Sequence, residues 1–122
     1  MCTYGSYRYT SNGDRGKNCK EYPKGVKVRE HKWLASHLKT FKAGVVKHIP
    51  SDCFKHKGHW GKAASDLALM FAVIERVGLD RTAFIDRTIY GYRDNSGNSV
   101  KRKTQKLYRD IWKAKKPLKR LF

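Results

Sequence analysis

The chain has 122 residues, the size of one domain, and its 39% hydrophobic and 31% charged residues exclude both a disordered chain and a membrane-embedded one. Its 28 Lys and Arg residues outnumber its 10 Asp and Glu residues, which gives a formal net charge of +18. Because so much positive charge destabilises a small compact domain, we expect a polyanionic partner, and nucleic acid is the first candidate.

The positive charge is uneven along the chain. Residues 1–60 carry 13 basic and 4 acidic side chains, residues 61–100 carry 5 of each, and residues 101–122 carry 10 basic and 1 acidic. The middle segment is also the most hydrophobic, so we expect it to form the packed core. If the two basic flanks meet in space, they form one anion-binding surface.

The chain begins with a predicted β-hairpin. Residues 3–10 are rich in aromatic and β-favouring side chains, residues 11–14 are a turn signal, and a return strand is expected near residues 17–22. Residues 29–42 space apolar side chains by three and four, which predicts the first helix. Residues 53–61 are rich in Gly, Lys and His, which is typical of a loop.

Three further elements are predicted in the second half of the chain. Residues 62–77 are apolar on nearly every side, which predicts a helix buried at the centre of the domain. Gly78 ends this helix, and residues 82–90 are predicted to form its partner helix. A loop is expected at residues 94–98, followed by a helix over residues 99–116 with one apolar stripe.

These elements predict an α+β fold, in which an N-terminal β-hairpin packs on a small bundle of three to four helices with a basic C-terminal helix. We assign residues 1–116 to a single basic α+β domain and residues 117–122 to a short basic C-terminal tail. The glycine between the two central helices also permits a helix-turn-helix. Asp80 and Asp86 make its second helix electrically neutral, however, which favours an ordinary helical hairpin.

The strongest functional signal is the density of cations in the C-terminal helix and tail. Long cationic side chains on one helix face suit phosphate oxygens, and release of counterions drives such binding. A basic face that only keeps the protein soluble, or one that lies on an acidic membrane or docks with a partner helix, is the alternative. The predicted nucleic-acid-binding residues are Arg8, Lys17, Lys55, Lys57, Lys101, Arg102, Lys103, Lys106, Arg109, Lys113, Lys115, Lys116, Lys119 and Arg120.

A second signal is the alternation of tyrosines and cations in the predicted hairpin. Tyr7 and Tyr9 flank Arg8, and tyrosine rings beside cations on an exposed sheet provide stacking surfaces for unpaired bases. Tyrosines on a small sheet also commonly pack on the nearest helix, and that alternative stays open.

The segment from Cys53 to His59 contains zinc-ligand residue types. Cys53, His56 and His59 stand at three-residue steps, and each offers an electron pair to one zinc ion. The spacing lacks the paired Cys-x2-Cys pattern of strong zinc signatures, so a basic loop that contacts phosphate is favoured. A metal-dependent nuclease would use His48, His56 or His59 as base and ligand, with Asp52 as an acidic ligand. We predict no cofactor, with zinc as the alternative.

We predict a non-catalytic nucleic-acid-binding protein that contacts mainly the phosphate backbone of DNA or RNA. One alternative is a small inhibitor of phage or mobile-element origin, an anti-defence or host-takeover factor of anti-CRISPR type, which binds a nucleic-acid-processing protein complex of the host. A second alternative is the metal-dependent nuclease. No apolar run approaches the roughly 18 to 20 residues of a membrane span, no signal segment follows Met1, and the three cysteines are an odd number for a disulfide framework. These features predict a cytoplasmic or nucleoid-associated protein without a membrane partner.

Overall fold

The protein combines β-strands with α-helices, and the coarse α+β prediction is confirmed. A computed structural model describes residues 2–93 and 99–122, and of residues 99–101 it describes the backbone alone. The predicted loop at residues 94–98 lies outside the described residues. The elements in chain order are β1 (Cys2–Tyr9), β2 (Thr40–Phe41), α1 (Ala43–Val46), a 3-10 turn (Ser51–Phe54), β3 (Lys55–His56), β4 (His59–Trp60), α2 (Ser65–Val77), a second 3-10 turn (Leu79–Arg81), β5 (Thr82–Tyr92) and α3 (Ser99–Ala114).

A three-stranded sheet of order β2–β1–β5 forms one layer. The central strand β1 pairs with β2 in antiparallel fashion at its start and with β5 in parallel along its whole length, from Cys2 beside Thr82 to Tyr9 beside Tyr92. A parallel pair needs a long crossover connection, and α2 lies within it. The sheet therefore brings residues about eighty positions apart in the chain into direct register.

The helix α2 lies at the centre of the core, as its apolar composition predicts. Phe71 is fully buried in its middle, and Tyr4 of β1 and Trp112 of α3 belong to the same buried cluster. Trp112 is 1% exposed, and its indole Nε1 donates a hydrogen bond to the carbonyl oxygen of Ala63 at 3.1 Å. Gly61 makes room for this ring, since a Cβ there would lie 2.1 Å from Cζ2 of the indole.

The prediction of a helix over residues 29–42 is wrong. This segment is turns and extended chain that ends in β2, and its apolar side chains reach different surroundings. Leu34 is buried, Trp33 packs edge-on against Phe71 with ring centroids 5.2 Å apart, and Leu38 is exposed. The spacing of three and four therefore does not mark one helical face.

A buried ion pair anchors the start of that segment. The guanidinium of Arg29 donates from Nε to Oε2 of Glu75 at 2.9 Å and from Nη2 to Oε1 at 2.7 Å. Its Nη1 donates to the carbonyl oxygen of Trp112 at 2.6 Å, and its carbon lies 5.1 Å from the ring centroid of Phe71. Because a buried charge must be paired, Arg29 ties the irregular segment to both α2 and α3.

The predicted partner helix at residues 82–90 is also wrong, because the segment is the strand β5. Its burial alternates over residues 82–84 and 88–91, as in a strand with one covered face, and β1 pairs with it on both sides of an irregularity in the register at Ser6. The helix-turn-helix alternative falls with it. The turn of the predicted hairpin is present after β1. The predicted return strand at residues 17–22 is not formed, and a single β-bridge between Arg8 and Arg15 takes its place.

One smaller correction and one confirmation concern residues 53–122. The predicted loop at residues 53–61 contains the two-stranded β3–β4 hairpin. The C-terminal helix is confirmed as α3, which ends before Pro117. Beyond it the chain returns to α2, where the amides of Leu121 and Phe122 donate to the carbonyl oxygen of Arg76 at 2.9 and 3.1 Å. Within the described ranges, no helix is long and apolar enough to cross a membrane.

Candidate functional site

One face of α3 carries a row of cationic side chains, which we call the α3 stripe. Its members Arg102, Lys106, Arg109 and Lys113 follow one another at steps of four, three and four residues. These steps place neighbours about 5 to 6 Å apart on one side of a helix. Three of the side chains are exposed and Lys113 is partly exposed. Another face of α3 packs on the core through Tyr108, Ile111 and Trp112, so the helix presents the stripe away from the core.

The α3 stripe has no acidic partner among the described residues. The ion pairs found among the described residues use cations outside the stripe. Asp110 is the one acidic residue in the sequence of α3. Like charges at helical neighbours repel each other, so an external anion stabilises such a row. The internal pairs among the described residues include Arg15–Asp86, Arg29–Glu75, Lys39–Asp66 and Arg120–Asp80.

A pocket of about 320 Å³ lies beside the α3 stripe, at the start of α2. It is lined by residues from both ends of the chain, and we call it the aromatic pocket. Arg109 belongs to both the pocket and the stripe, and Gln105 of α3 lines it as well. Its main side chains are Tyr7 and Tyr9 of β1, Tyr92 of β5, and His37 and Lys39 before β2.

Stacked and edge-on rings form one wall of this pocket. Tyr7 lies 5.2 Å from Tyr92 and 5.3 Å from Tyr9, centroid to centroid, and Tyr9 lies 6.0 Å from Tyr92. His37 stacks on Tyr90 with centroids 4.6 Å apart and planes inclined by 17°. Burial, followed by the hydrogen bond to Tyr9, raises the pKa of Tyr7, so its ring stays neutral.

The parallel sheet creates this wall by pairing two Tyr-x-Tyr segments. Tyr7 stands beside Tyr90 in the register, and Tyr9 stands beside Tyr92. The sequence contains the second segment as plainly as the first, but the predicted helix at residues 82–90 concealed its relation to Tyr7 and Tyr9. The separate, wrong prediction of a helix over residues 29–42 left His37 and Lys39 without an assigned role.

The charges inside the pocket nearly cancel. Lys39 Nζ contacts Oδ2 of Asp66 at 2.6 Å. Burial alone would raise the pKa of Asp66, but the hydrogen bond and charge of Lys39 outweigh it and lower that pKa. Burial, then the charge of Lys39, lowers the pKa of His37, so its ring is neutral at pH 7. Arg109 remains as the cation without an internal partner among the described residues that line the pocket.

The start of α2 also lines the aromatic pocket. Ala64, at the N-cap, has a left-handed φ of 52° and provides no side-chain cap. The first backbone amides of a helix carry its positive dipole end, and Asp66 in the first turn of α2 offsets it. The pocket therefore combines neutral rings with the cation Arg109 at its rim.

The residues considered for zinc are not grouped as a metal site. Within residues 2–93 and 99–122, no three His, Cys, Asp or Glu side chains stand together so that they could hold a metal ion. Cys53 is buried, and burial raises the pKa of its thiol, which opposes the thiolate form that binds metals. His56 and His59 lie opposite each other on the β3–β4 hairpin.

The β3–β4 hairpin places other predicted residues near the start of α2. The ammonium of Lys55 lies 4.7 Å from the ring centroid of Trp60, and that ring is 62% exposed. Lys57 is exposed in the hairpin turn. Ser65 lines both the aromatic pocket and a hollow beside Trp60, so the hairpin borders the same end of α2.

The remaining predicted cations are scattered or engaged. Arg8 and Lys17 are exposed near the N-terminal turn, and Lys103 and Lys116 are exposed on or just after α3. The side chain of Lys101 lies outside the described part of the chain. Three others belong to the region where the C-terminal residues return: Lys115 stands over the ring of Trp112, Arg120 pairs with Asp80, and the carbonyl of Lys119 accepts a bond from Arg76.

The candidate site thus consists of the α3 stripe and the aromatic pocket, which share Arg109. The stripe suits a chain of anions, and the pocket suits a flat, neutral ring. In comparisons with known proteins, no family model, no curated protein and no solved structure matches this chain.

Proposed function

We propose that the protein binds nucleic acid, contacts mainly its phosphate backbone and catalyses no reaction. The observation that carries this proposal is the α3 stripe, four regularly spaced cations without acidic partners among the described residues. The net charge of +18 also favours binding of a polyanion by the protein as a whole.

The length of the stripe suits a polymer. Arg102 and Lys113 are eleven residues apart on one helix, which corresponds to about 16 Å along its axis. Duplex nucleic acid carries one negative charge for about each 1.7 Å of its axis, so a cation row of this length faces several phosphates in any sequence. We therefore expect binding without strong sequence preference, because phosphate contacts carry no base information.

The predicted cations are not expected to contribute equally to phosphate binding. Lys115 contacts the ring of Trp112, and Arg120 pairs with Asp80. Because both cations already have partners inside the fold, we expect them to contribute less to phosphate binding. Lys103 in α3 and Lys116 just after it are exposed and lie close in sequence to the two ends of the stripe. The stripe and these two lysines are therefore the principal proposed phosphate contacts.

A salt titration tests the proposal. If the four stripe residues each neutralise one phosphate, affinity for a labelled oligonucleotide should fall roughly 60-fold between about 50 and 200 mM salt. Absence of binding at the lower salt concentration, or a flat dependence on salt, would overturn it. A protein partner that stays bound after nuclease treatment, together with that flat dependence, would support the inhibitor alternative instead.

A further inference from the structure

We propose that the aromatic pocket holds one unpaired nucleobase, so that the protein prefers single-stranded nucleic acid over a duplex. This inference rests on the proposed function, because the α3 stripe is taken to hold the phosphates that flank the base. It adds a second site with a different chemistry. The stripe recognises charge, whereas the pocket recognises a ring.

The first support is the aromatic wall. Tyr7, Tyr9 and Tyr92 have ring centroids within 6.0 Å of one another, and all three line an open pocket. Tyr92 is 38% exposed, which leaves a ring surface accessible to a ligand. Bases stack on tyrosine with little dependence on their identity, because every base has a π-face. The volume of about 320 Å³ lies at the lower end of the range for small-ligand pockets.

The second support is the distribution of polar groups. The pairing of Lys39 with Asp66 and the neutral ring of His37 keep the interior of the pocket close to uncharged. Asn18 and Gln105 also line the pocket, and a side-chain amide has both donors and an acceptor for the edge of a base. A neutral base with hydrogen-bonding edges fits this interior better than a free anion does.

The third support is the position of Arg109. Its side chain lines the pocket and is also the third member of the α3 stripe. A base inside the pocket therefore places its own phosphate next to a row of cations. In a duplex the bases are paired and stacked, so the same contact requires a base to be extruded at the cost of its stacking.

The test compares three single strands that have the same backbone charge and differ in their bases with a duplex whose two strands carry twice that charge. The probes are oligothymidylate, oligouridylate, an abasic phosphodiester chain of equal length and a blunt duplex of equal length. We expect both base-bearing single strands to bind about 5- to 150-fold more tightly than the abasic chain, the range that one base–aromatic stack provides.

Equal binding of the abasic and base-bearing strands, or tighter binding of the duplex, would overturn the inference and leave the proposed function intact. Absence of salt-dependent binding to every probe would overturn both. These outcomes separate the pocket from the stripe. The comparison uses the unaltered protein, so it does not depend on whether a variant folds.

Variants then locate the effect. Tyr92→Ala should lower the affinity for oligothymidylate about 5-fold or more and leave the affinity for the abasic chain unchanged. Tyr92→Phe keeps the ring and should bind as the unaltered protein does. Ile89→Ala is the matched control, since Ile89 lies on the same strand and is exposed outside the pocket. An equal loss for both probes in Tyr92→Ala, or no loss for either, would contradict the assignment.

Discussion

Replacing the α3 stripe with glutamine isolates its contribution to nucleic-acid binding. The variant carries Arg102→Gln, Lys106→Gln, Arg109→Gln and Lys113→Gln, and glutamine keeps a helix propensity close to that of lysine and arginine. None of the four cations forms an ion pair within the described residues. Two repulsive pairs four residues apart disappear, but Asp110 also loses its cationic neighbours Lys106 and Lys113, at four and three residues. Each such pair contributes about 0.2 to 0.5 kcal/mol, so the two effects offset each other and we expect the free energy of unfolding to change by less than about 0.5 kcal/mol.

The size of the expected loss follows from counterion release. Each phosphate contact contributes about 0.7 to 0.9 to the slope of log affinity against log salt concentration, so loss of the stripe lowers the slope by roughly 3. Extrapolated from about 1 M salt, this corresponds to a roughly thousandfold loss of affinity at about 0.1 M salt. The loss should shrink as salt rises, because it is entirely electrostatic.

Fluorescence anisotropy of a labelled oligonucleotide measures both slope and affinity. The matched control is a variant with glutamine at four exposed lysines of the irregular N-terminal segment, which lowers the net charge from +18 to +14 as the stripe variant does. An equal loss in both variants would refute the assignment of the stripe and attribute binding to total charge. A stripe variant with the slope of the unaltered protein would refute it as well. The control lysines are Lys20, Lys24, Lys27 and Lys32.

Three further predictions concern the fold. Glu75→Gln should lower the free energy of unfolding by about 3 to 5 kcal/mol, measured by denaturant titration, because Arg29 is then a buried charge without its partner. Gly61→Ala should cost about 1 to 3 kcal/mol, because the new Cβ would overlap the indole that packs there, whereas Gly44→Ala meets no atom within 4 Å and should stabilise α1 by about 0.4 to 1 kcal/mol. Stability should fall as the pH drops below about 6.5, the unfolded value for histidine, because the folded state lowers the pKa of His37 and the unfolded chain then binds more protons. His37→Gln should reduce this loss, and thermal unfolding at a series of pH values measures it.

Each of these predictions has an outcome that contradicts it. Glu75→Gln should be compared with Glu30→Gln, an exposed acid on the neighbouring segment, and equal stabilities would show that the buried pair is unimportant. Similar effects of the two glycine substitutions would show that the indole does not fill the space at Gly61. An unchanged pH profile in His37→Gln would mean that other groups set the pH dependence.

Patterns within single segments were enough to predict α2, α3 and the first strand, and composition alone gave the net charge. The apolar composition of α2 and the amphipathic period of α3 are complete within single segments, so helix prediction succeeds for both. The grouping of cations on α3 follows from the same period, and it required no knowledge of the rest of the chain. The charge of +18 likewise is a property of composition alone.

Tertiary contacts decided the segments that were predicted wrongly. Residues 82–92 form a strand because β1 offers them a parallel hydrogen-bonded neighbour. This partner lies about eighty residues away in the chain. Residues 29–42 do not form a helix, because Arg29 enters the core and pairs with Glu75. Trp33 and Leu34 also pack at different places and not along one helical face. Neither interaction can be read from spacing along the segment.

The aromatic pocket shows the same division. Tyr7 and Tyr9 were candidates for base stacking from their neighbours in sequence, and they remain candidates. Their relation to Tyr92, to His37 and to Arg109 exists only because the sheet register and the packing of α3 bring distant segments to the start of α2. The sequence by itself determined that the protein is strongly cationic and where its two long helices lie. The tertiary structure decided which cations remain without internal partners in its described part and which rings they adjoin, because pairing and packing are long-range interactions.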